Sequence, residues 1–105
     1  MSVASAPLFK LTAITADAVI KAAPGKIWAI QLDGGTDDSS MLFHNDVDDA
    51  SGTVVISIVA LCTTSTTSGR SSVFIDYTSL GGIAFDTGIY VNWTGAAAVG
   101  YVWTS

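Results

Sequence analysis

The fold is decided by Gly-Gly-Ile-Ala-Phe-Asp-Thr-Gly-Ile-Tyr-Val-Asn-Trp-Thr-Gly-Ala-Ala-Ala-Val-Gly-Tyr-Val-Trp, which occupies residues 81–103. Apolar side chains recur at every second position in three short runs, and glycine-bearing turns separate the runs. A period of two is typical of β-strands and not of helices. The stretch therefore predicts three strands, whose core-facing side chains are those of Ile83, Phe85, Ile89, Val91 and Trp93.

The rest of the chain predicts the same kind of element. Further strands are expected over residues 8–15, 17–22, 26–32, 40–44, 54–61 and 71–77. Pro24-Gly25 suits a type II turn, and the tract Thr-Thr-Ser-Thr-Thr-Ser-Gly at residues 63–69 suits a flexible loop. About seven to nine short strands without a helix predict an all-β protein, a single antiparallel β-sandwich or jelly roll. We assign residues 11–105 to this domain and residues 1–10 to an N-terminal arm.

Composition limits the possible partners. The 105 residues are 50% hydrophobic and only 12% charged, with nine carboxylates against four basic residues and a net charge of −5. A nucleic-acid binder needs the opposite balance, so no direct nucleic acid partner is expected. The longest apolar run, residues 54–62, is far shorter than the ~20 residues of a membrane-spanning helix. We therefore expect synthesis in a cytoplasm and no membrane partner. We expect the single cysteine, Cys62, to be a small buried hydrophobic residue.

Two strands are apolar on both sides. In residues 26–32, strict alternation places Ile27 and Ala29 on one face and Trp28, Ile30 and Leu32 on the other. Residues 54–61 are apolar on both faces apart from Ser57. Because an antiparallel sheet normally has one wet face, the outer apolar face needs a cover. That cover is either another subunit, which we favour, or a long loop folded over the sheet.

No catalytic set is visible. His44 is the only histidine, and without a nucleophile motif nearby we expect it to be a surface or turn residue. A small hydrolase built on His44 and a carboxylate is the weakest alternative. The pairs Gly34-Gly35 and Gly81-Gly82 lack the spacing of a phosphate-binding loop, so no cofactor is expected. The sequence thus predicts a protein that is not an enzyme.

Two aspartate-rich loops are the weak candidates for calcium binding. They contain Asp33, Asp37 and Asp38 in one loop and Asp46, Asp48 and Asp49 in the other. The strand between them holds the loops about 15 Å apart, so they cannot share one ion. Neither loop has the EF-hand register, and we expect solvated turns rather than metal ligands.

A resemblance extends from residue 19 to residue 103. It rests on Val-Ile-Lys-Ala-Ala-Pro-Gly-Lys-Ile-Trp-Ala-Ile at residues 19–30, Gly-Gly-Ile-Ala-Phe-Asp-Thr-Gly-Ile-Tyr-Val at residues 81–91, and the closing strand to Trp103. In these features the chain resembles small structural proteins of tailed bacteriophages, including capsid decoration or cement proteins. The resemblance implies a virion protein made in the host bacterial cytoplasm. It also implies a homotrimer that binds the major capsid protein on the outer capsid surface and stabilises the head.

The matching motifs are scaffold residues, so the resemblance carries over no active site. We name as interface candidates Leu8, Phe9, Trp28, Ile30, Tyr90, Tyr101 and Trp103. The alternative is another virion component, of the tail, neck or fibre, or a carbohydrate-binding adhesion module whose exposed tryptophan and tyrosine rings stack on sugars.

Overall fold

A computed structural model describes residues 9–35, 37–61 and 72–105. This part of the chain contains nine β-strands, a single 3-10 turn at Thr78–Leu80, and no α-helix. The predicted strands are confirmed, with bounds that differ by one or two residues. The strands are β1 Lys10–Ile14, β2 Ala18–Lys21, β3 Gly25–Asp33, β4 Ser39–Asn45, β5 Thr53–Ala60, β6 Ser72–Asp76, β7 Ile83–Phe85, β8 Ile89–Thr94 and β9 Val99–Thr104.

The strands form two antiparallel sheets that pack face to face, which confirms the predicted sandwich. Sheet A has the order β1-β9-β3-β6, and β7 pairs with the start of β3 on the same side as β6. Sheet B has the order β2-β8-β4-β5. Neighbouring strands are mostly distant along the chain, so the pairing of each sheet depends on long-range contacts.

The core lies between the sheets and is almost entirely aliphatic. Phe85, Ile89 and Val91 are buried there as predicted, while Ile83 and Trp93 are partly buried and pack against it. Its buried members are Ile14, Ile20, Ile27, Ile30, Leu32, Met41, Phe43, Ile56, Ile58, Ala60, Phe85, Ile89, Val91 and Val102.

A register irregularity in β3 changes which side chains face outward. The pairing of β3 with β9 shifts between Ile27 and Ala29, so Trp28 and Ala29 both lie on the outer side. Ile27, Ile30 and Leu32 are all fully buried. Strict alternation predicts Ile30 on the same face as Trp28. Because Ile30 is buried in the core instead, its prediction as an interface residue is wrong.

The turn predicted at Pro24-Gly25 is also wrong. Gly25 is the first residue of β3 and is not among the positive-φ residues of the described chain, whereas a type II turn requires a positive φ there. Gly25 instead lies where strands approach closely, since a Cβ at this position would come within 2.6 Å of the Ser105 carbonyl oxygen.

Several sequence-based expectations fall outside the described residues. They concern Leu8, Cys62, the tract at residues 63–69 and residues 1–8 of the arm. Lys10, which we had placed in the arm, belongs to β1 and pairs with Thr104. No helix in the described ranges is long and apolar enough to cross a membrane.

Candidate interaction surface

The outer side of sheet A carries a group of large aromatic side chains. In β9, Tyr101 and Trp103 alternate with buried Gly100 and Val102, so both rings point away from the core. Trp103 lies opposite Leu11 of β1 and Ala29 of β3, and Gln31 of β3 lies opposite Phe74 of β6. We call the set Phe9, Trp28, Phe74, Tyr101 and Trp103 the aromatic face.

Contacts between the rings hold this face in place. The Phe74 and Trp103 rings meet edge to face, with centroids 6.1 Å apart at 87°. Phe9 packs on Trp28 with a centroid separation of 5.4 Å. The indole Nε1 of Trp28 donates to Ser105 Oγ at 2.7 Å, so its polar edge is satisfied within the chain. Four of the five rings, those of Phe9, Trp28, Phe74 and Trp103, are therefore held by contacts within the chain.

Much of this face is exposed to solvent. Phe9 is 44% exposed and Phe74 58% exposed, and Leu11, opposite Trp103 in the sheet, is 54% exposed. A groove of about 320 Å³ runs between the rings, lined by Phe9, Trp28, Ala29, Phe74, Asp76, Thr78 and Trp103. Asp76 Oδ1 accepts the Thr78 N–H at 2.9 Å, which lowers the pKa of this carboxyl. The groove thus has an apolar floor and one anionic group.

Among the described interface candidates, Ile30 and Tyr90 do not lie on the aromatic face. Phe9, Trp28, Tyr101 and Trp103 lie on the aromatic face, whereas Tyr90 lies on the outer side of sheet B, opposite Val19 and His44. The structure therefore gathers four of the seven candidates in one place. Whether they contact a partner stays a prediction.

Phe74 and Leu11 belong to the same surface and are not among the interface candidates predicted from the sequence. Val73 and Ile75 pack against the core, and Phe74 between them points outward. Ser72 and Asp76 flank Phe74 on the outer side of β6, so this side is not apolar throughout and the criterion that singled out residues 54–61 does not apply to it. The signal in the sequence is the alternation itself, which places the aromatic side chain of Phe74 on the side opposite Val73 and Ile75.

A second, aliphatic surface lies on the outer side of sheet B. Ile56, Ile58 and Ala60 of β5 point into the core, while Val55 and Val59 are 41% and 49% exposed. Both sides of β5 are therefore apolar, as the sequence predicted. The described residues leave the outer side of this strand open to solvent.

His44 is buried rather than on the surface, so its prediction as a surface or turn residue is wrong. It is 6% exposed in β4, and its Nδ1 lies 2.8 Å from the Gly52 carbonyl oxygen. Because a carbonyl only accepts, Nδ1 carries the proton. The Tyr90 ring packs edge-on against the imidazole at 6.4 Å. At this position His44 offers no solvent-accessible base.

The calcium candidates differ in their surroundings. Asp46, Asp48 and Asp49 can bring carboxylate oxygens within 4.8 Å of one another, and no second group of this kind occurs in the described ranges. Asp33 accepts hydrogen bonds from Gln31 and Ser72, both at 3.0 Å. The expectation that the six aspartates form solvated turns rather than calcium ligands stays a prediction, which a calorimetric titration with Ca²⁺ would test.

The oxygens of Asp46 are already used by its own loop. Oδ1 accepts the N–H groups of Asp48 at 3.1 Å and Asp49 at 3.4 Å, and Oδ2 accepts the Ser51 hydroxyl at 3.0 Å. These hydrogen bonds, led by the one from the Asp48 backbone, lower the pKa of Asp46 to about 2. The local chemistry accounts for this carboxylate without a metal.

No family model, curated protein or solved structure matches this chain. Its function is therefore inferred from the surfaces described above and from the resemblance in its sequence.

Proposed function

We propose that this protein is a capsid decoration (cement) protein of a tailed bacteriophage, which binds the outer capsid surface and stabilises the head without catalysing a reaction. The observation that carries the proposal is the aromatic face. Large contiguous apolar patches on a soluble protein mark surfaces that another molecule covers. From the sequence resemblance we infer that two kinds of molecule cover the aromatic face, the major capsid protein and further copies of this chain.

The energetics of the aromatic face favour protein docking. Full burial of a phenylalanine-sized side chain contributes about 1.5–3 kcal/mol. Phe74 and Trp103 already pack against each other, so little side-chain entropy remains to be lost on binding. Aromatic anchors of this kind dominate the binding energy of many protein interfaces. In this proposal Phe74 and Trp103 are therefore the anchors of the contact with the capsid.

Stabilisation of the head follows from mass action. A protein that binds the expanded shell and not its dissociated subunits favours the shell by RT ln(1 + [L]/Kd). If the chain acts as a homotrimer, each trimer links several capsid subunits, and the linked contacts raise the overall affinity. In this proposal the protein is made in the host bacterial cytoplasm and resides on the virion surface, with no direct nucleic acid or membrane partner.

The second candidate is a carbohydrate-binding adhesion module, or another virion component of the tail, neck or fibre. The groove favours the first of these because Trp28, Trp103 and Asp76 all line it. An aromatic ring stacks on the apolar side of a sugar ring while a carboxylate accepts hydrogen bonds from its hydroxyl groups.

A co-sedimentation experiment tests the proposal. The wild-type chain, Phe74→Ser and Val19→Ser would each be mixed with emptied, expanded phage heads. Both side chains are exposed, at 58% and 46%, so neither substitution disturbs the core, and Val19 lies on the opposite sheet. We expect Val19→Ser to bind like the wild type and Phe74→Ser to bind about tenfold more weakly.

Equal binding by all three proteins would contradict a role for the aromatic face. If the wild-type chain fails to bind heads, the decoration function is wrong. Binding on a glycan array that Phe74→Ser or Trp103→Ala abolishes would favour the adhesion module instead.

A further inference from the structure

One edge strand of the sandwich lacks the features that usually prevent strands from pairing between molecules. In the described residues, β1, β2, β5, β6 and β7 lie at sheet edges. Charged residues or short length protect four of these strands, since β1 contains Lys10, β2 contains Lys21, β6 contains Asp76 and β7 has three residues. β5 has eight residues, Thr-Val-Val-Ile-Ser-Ile-Val-Ala, with neither a charge nor a proline. A long, uncharged edge strand is a template for pairing with another chain.

The outer side of β5 is apolar and accessible. Val55 and Val59 are 41% and 49% exposed, and Ser57 between them is also exposed. Within the described residues, β5 pairs only with β4. Pairing along the free edge would therefore give its backbone N–H and C=O groups hydrogen-bond partners, and it would bring the outward-facing valines of the two strands together.

The sequence of β5 is self-complementary. Val55-Ile56-Ser57-Ile58-Val59 reads identically in both directions. In an antiparallel pair with its twofold axis at Ser57, Val55 lies opposite the partner's Val59. Ile56 then lies opposite the partner's Ile58. A contact about a twofold axis joins the same surface of both copies. In this register valine meets valine on the outer side of the sheet, and isoleucine meets isoleucine on the inner side.

We propose that β5 pairs antiparallel with β5 of a second copy of this chain, with the twofold axis at Ser57. The pair joins two four-stranded B sheets into one continuous sheet and forms roughly four to six backbone hydrogen bonds over the palindrome. The register shift between β4 and β5 leaves Val55 without a partner in β4, whereas Ile56 to Ala60 pair regularly with that strand. The bulge therefore lies at one end of the palindrome, two residues from the proposed axis.

This contact is independent of the proposed function. It uses the edge of sheet B and leaves the aromatic face on sheet A free for another partner. A twofold axis requires an even number of copies. The assembly is therefore a dimer, or a hexamer if trimers also form through another surface.

Cross-linking tests the register directly. In a Cys62→Ser background, Ser57→Cys places two cysteines opposite each other across the axis, with Cβ atoms about 4.5–5.5 Å apart. Thr53→Cys is the matched control on the same strand. Because Thr53 is four residues from the axis, its cysteines lie about 27 Å apart. A short bismaleimide should cross-link Ser57→Cys and leave Thr53→Cys monomeric on a denaturing gel.

A second pair of variants tests the affinity. Ser57→Lys places two lysines directly opposite each other, whereas Thr53→Lys adds the same charge away from the axis. We expect Ser57→Lys to raise the dissociation constant about tenfold or more, as measured by native mass spectrometry, and Thr53→Lys to have a smaller effect.

A wild-type protein that is monomeric or purely trimeric, or equal cross-linking of both cysteine variants, would overturn the proposed contact. Phe74→Ser should leave the Ser57→Cys cross-link unchanged, which separates this proposal from that of the aromatic face.

Discussion

At the scale of single residues, Asp46 organises the loop that joins β4 to β5. Its two carboxylate oxygens accept hydrogen bonds from the Asp48 and Asp49 N–H groups and from the Ser51 hydroxyl. These donors favour the charged carboxylate, so its pKa in the folded protein is about 2 instead of 3.8. Asp46 therefore stabilises the folded state only while it is ionised.

Asp46 gives the protein a defined response to acid. Because its pKa is lowered on folding, its contribution is complete above pH 3.8 and is lost as the pH falls through about 2. We expect Asp46→Asn to reduce the loss of thermal stability between these two pH values. Melting temperatures of the wild type and the variant, followed by circular dichroism across this range, measure the difference.

Asp37→Asn is the control for this measurement, because it removes one exposed carboxylate from a different loop. It should not reproduce the effect of Asp46→Asn. Identical acid profiles for the wild type and Asp46→Asn would show that the loop hydrogen bonds do not favour the charged form.

At the scale of elements, Gly100 of β9 lies against Met41 of β4, which belongs to the opposite sheet. Gly100 of β9 is buried, and a Cβ at this position would overlap the Met41 sulfur and come within 3.3 Å of the Trp93 ring. Met41 is itself fully buried in the core. The missing side chain of Gly100 thus makes room for the side chain of Met41 from the opposite sheet.

This packing predicts coupled effects of mutation. We expect Gly100→Ala to destabilise the protein by about 1 kcal/mol, at the low end of overpacking costs, because the added methyl group first meets the flexible end of the Met41 side chain. Met41→Ala should cost about 2–5 kcal/mol through the cavity that it leaves. In the double variant, the new methyl group occupies part of that cavity. Urea unfolding should therefore give a total cost below the sum of the single costs.

Strictly additive costs would contradict direct packing between Gly100 and Met41. Val99→Ala serves as a control, because Val99 precedes Gly100 in β9 and is only partly buried. Its cost should add to that of Met41→Ala.

Strand positions were predictable from the sequence, but the side of the sheet on which each side chain lies was harder to predict. The period of two places β8 and β9 correctly, because alternation continues through both strands. In β3 the alternation is interrupted at Trp28, where the pairing with β9 shifts by one residue. A bulge is set by the partner strand, so the sequence of β3 did not reveal that Ile30 faces the core. The burial of His44 likewise depends on the Gly52 carbonyl, eight residues away.

At the scale of the whole molecule, the protein carries few charged residues, and acidic residues outnumber basic ones. The net charge is −5, and both proposed contact surfaces, the aromatic face and the outer side of β5, consist mainly of uncharged residues. Association between copies therefore brings like net charges together through apolar contacts. Salt screens the repulsion over a distance that falls from about 30 Å at 0.01 M to about 8 Å at 0.15 M.

We expect self-association to strengthen with ionic strength. The dissociation constant, measured by sedimentation equilibrium at about 0.01 M and about 0.15 M NaCl, should fall at the higher concentration. Asp37→Asn lowers the net negative charge and should strengthen association at low salt. Weaker association at high salt would indicate that ion pairs, rather than apolar surfaces, hold the copies together.

The sequence by itself determined the strands, the absence of α-helix from residues 9–35, 37–61 and 72–105, and the excess of apolar surface, because alternation and composition are local properties. It also identified four of the five aromatic side chains of the aromatic face as contact candidates. Only the tertiary structure decided that they form one surface. Phe9, Trp28, Phe74 and Trp103 come from distant segments and meet because long-range pairing sets the order β1-β9-β3-β6. The same pairing produces the register shift that turns Trp28 outward and buries Ile30.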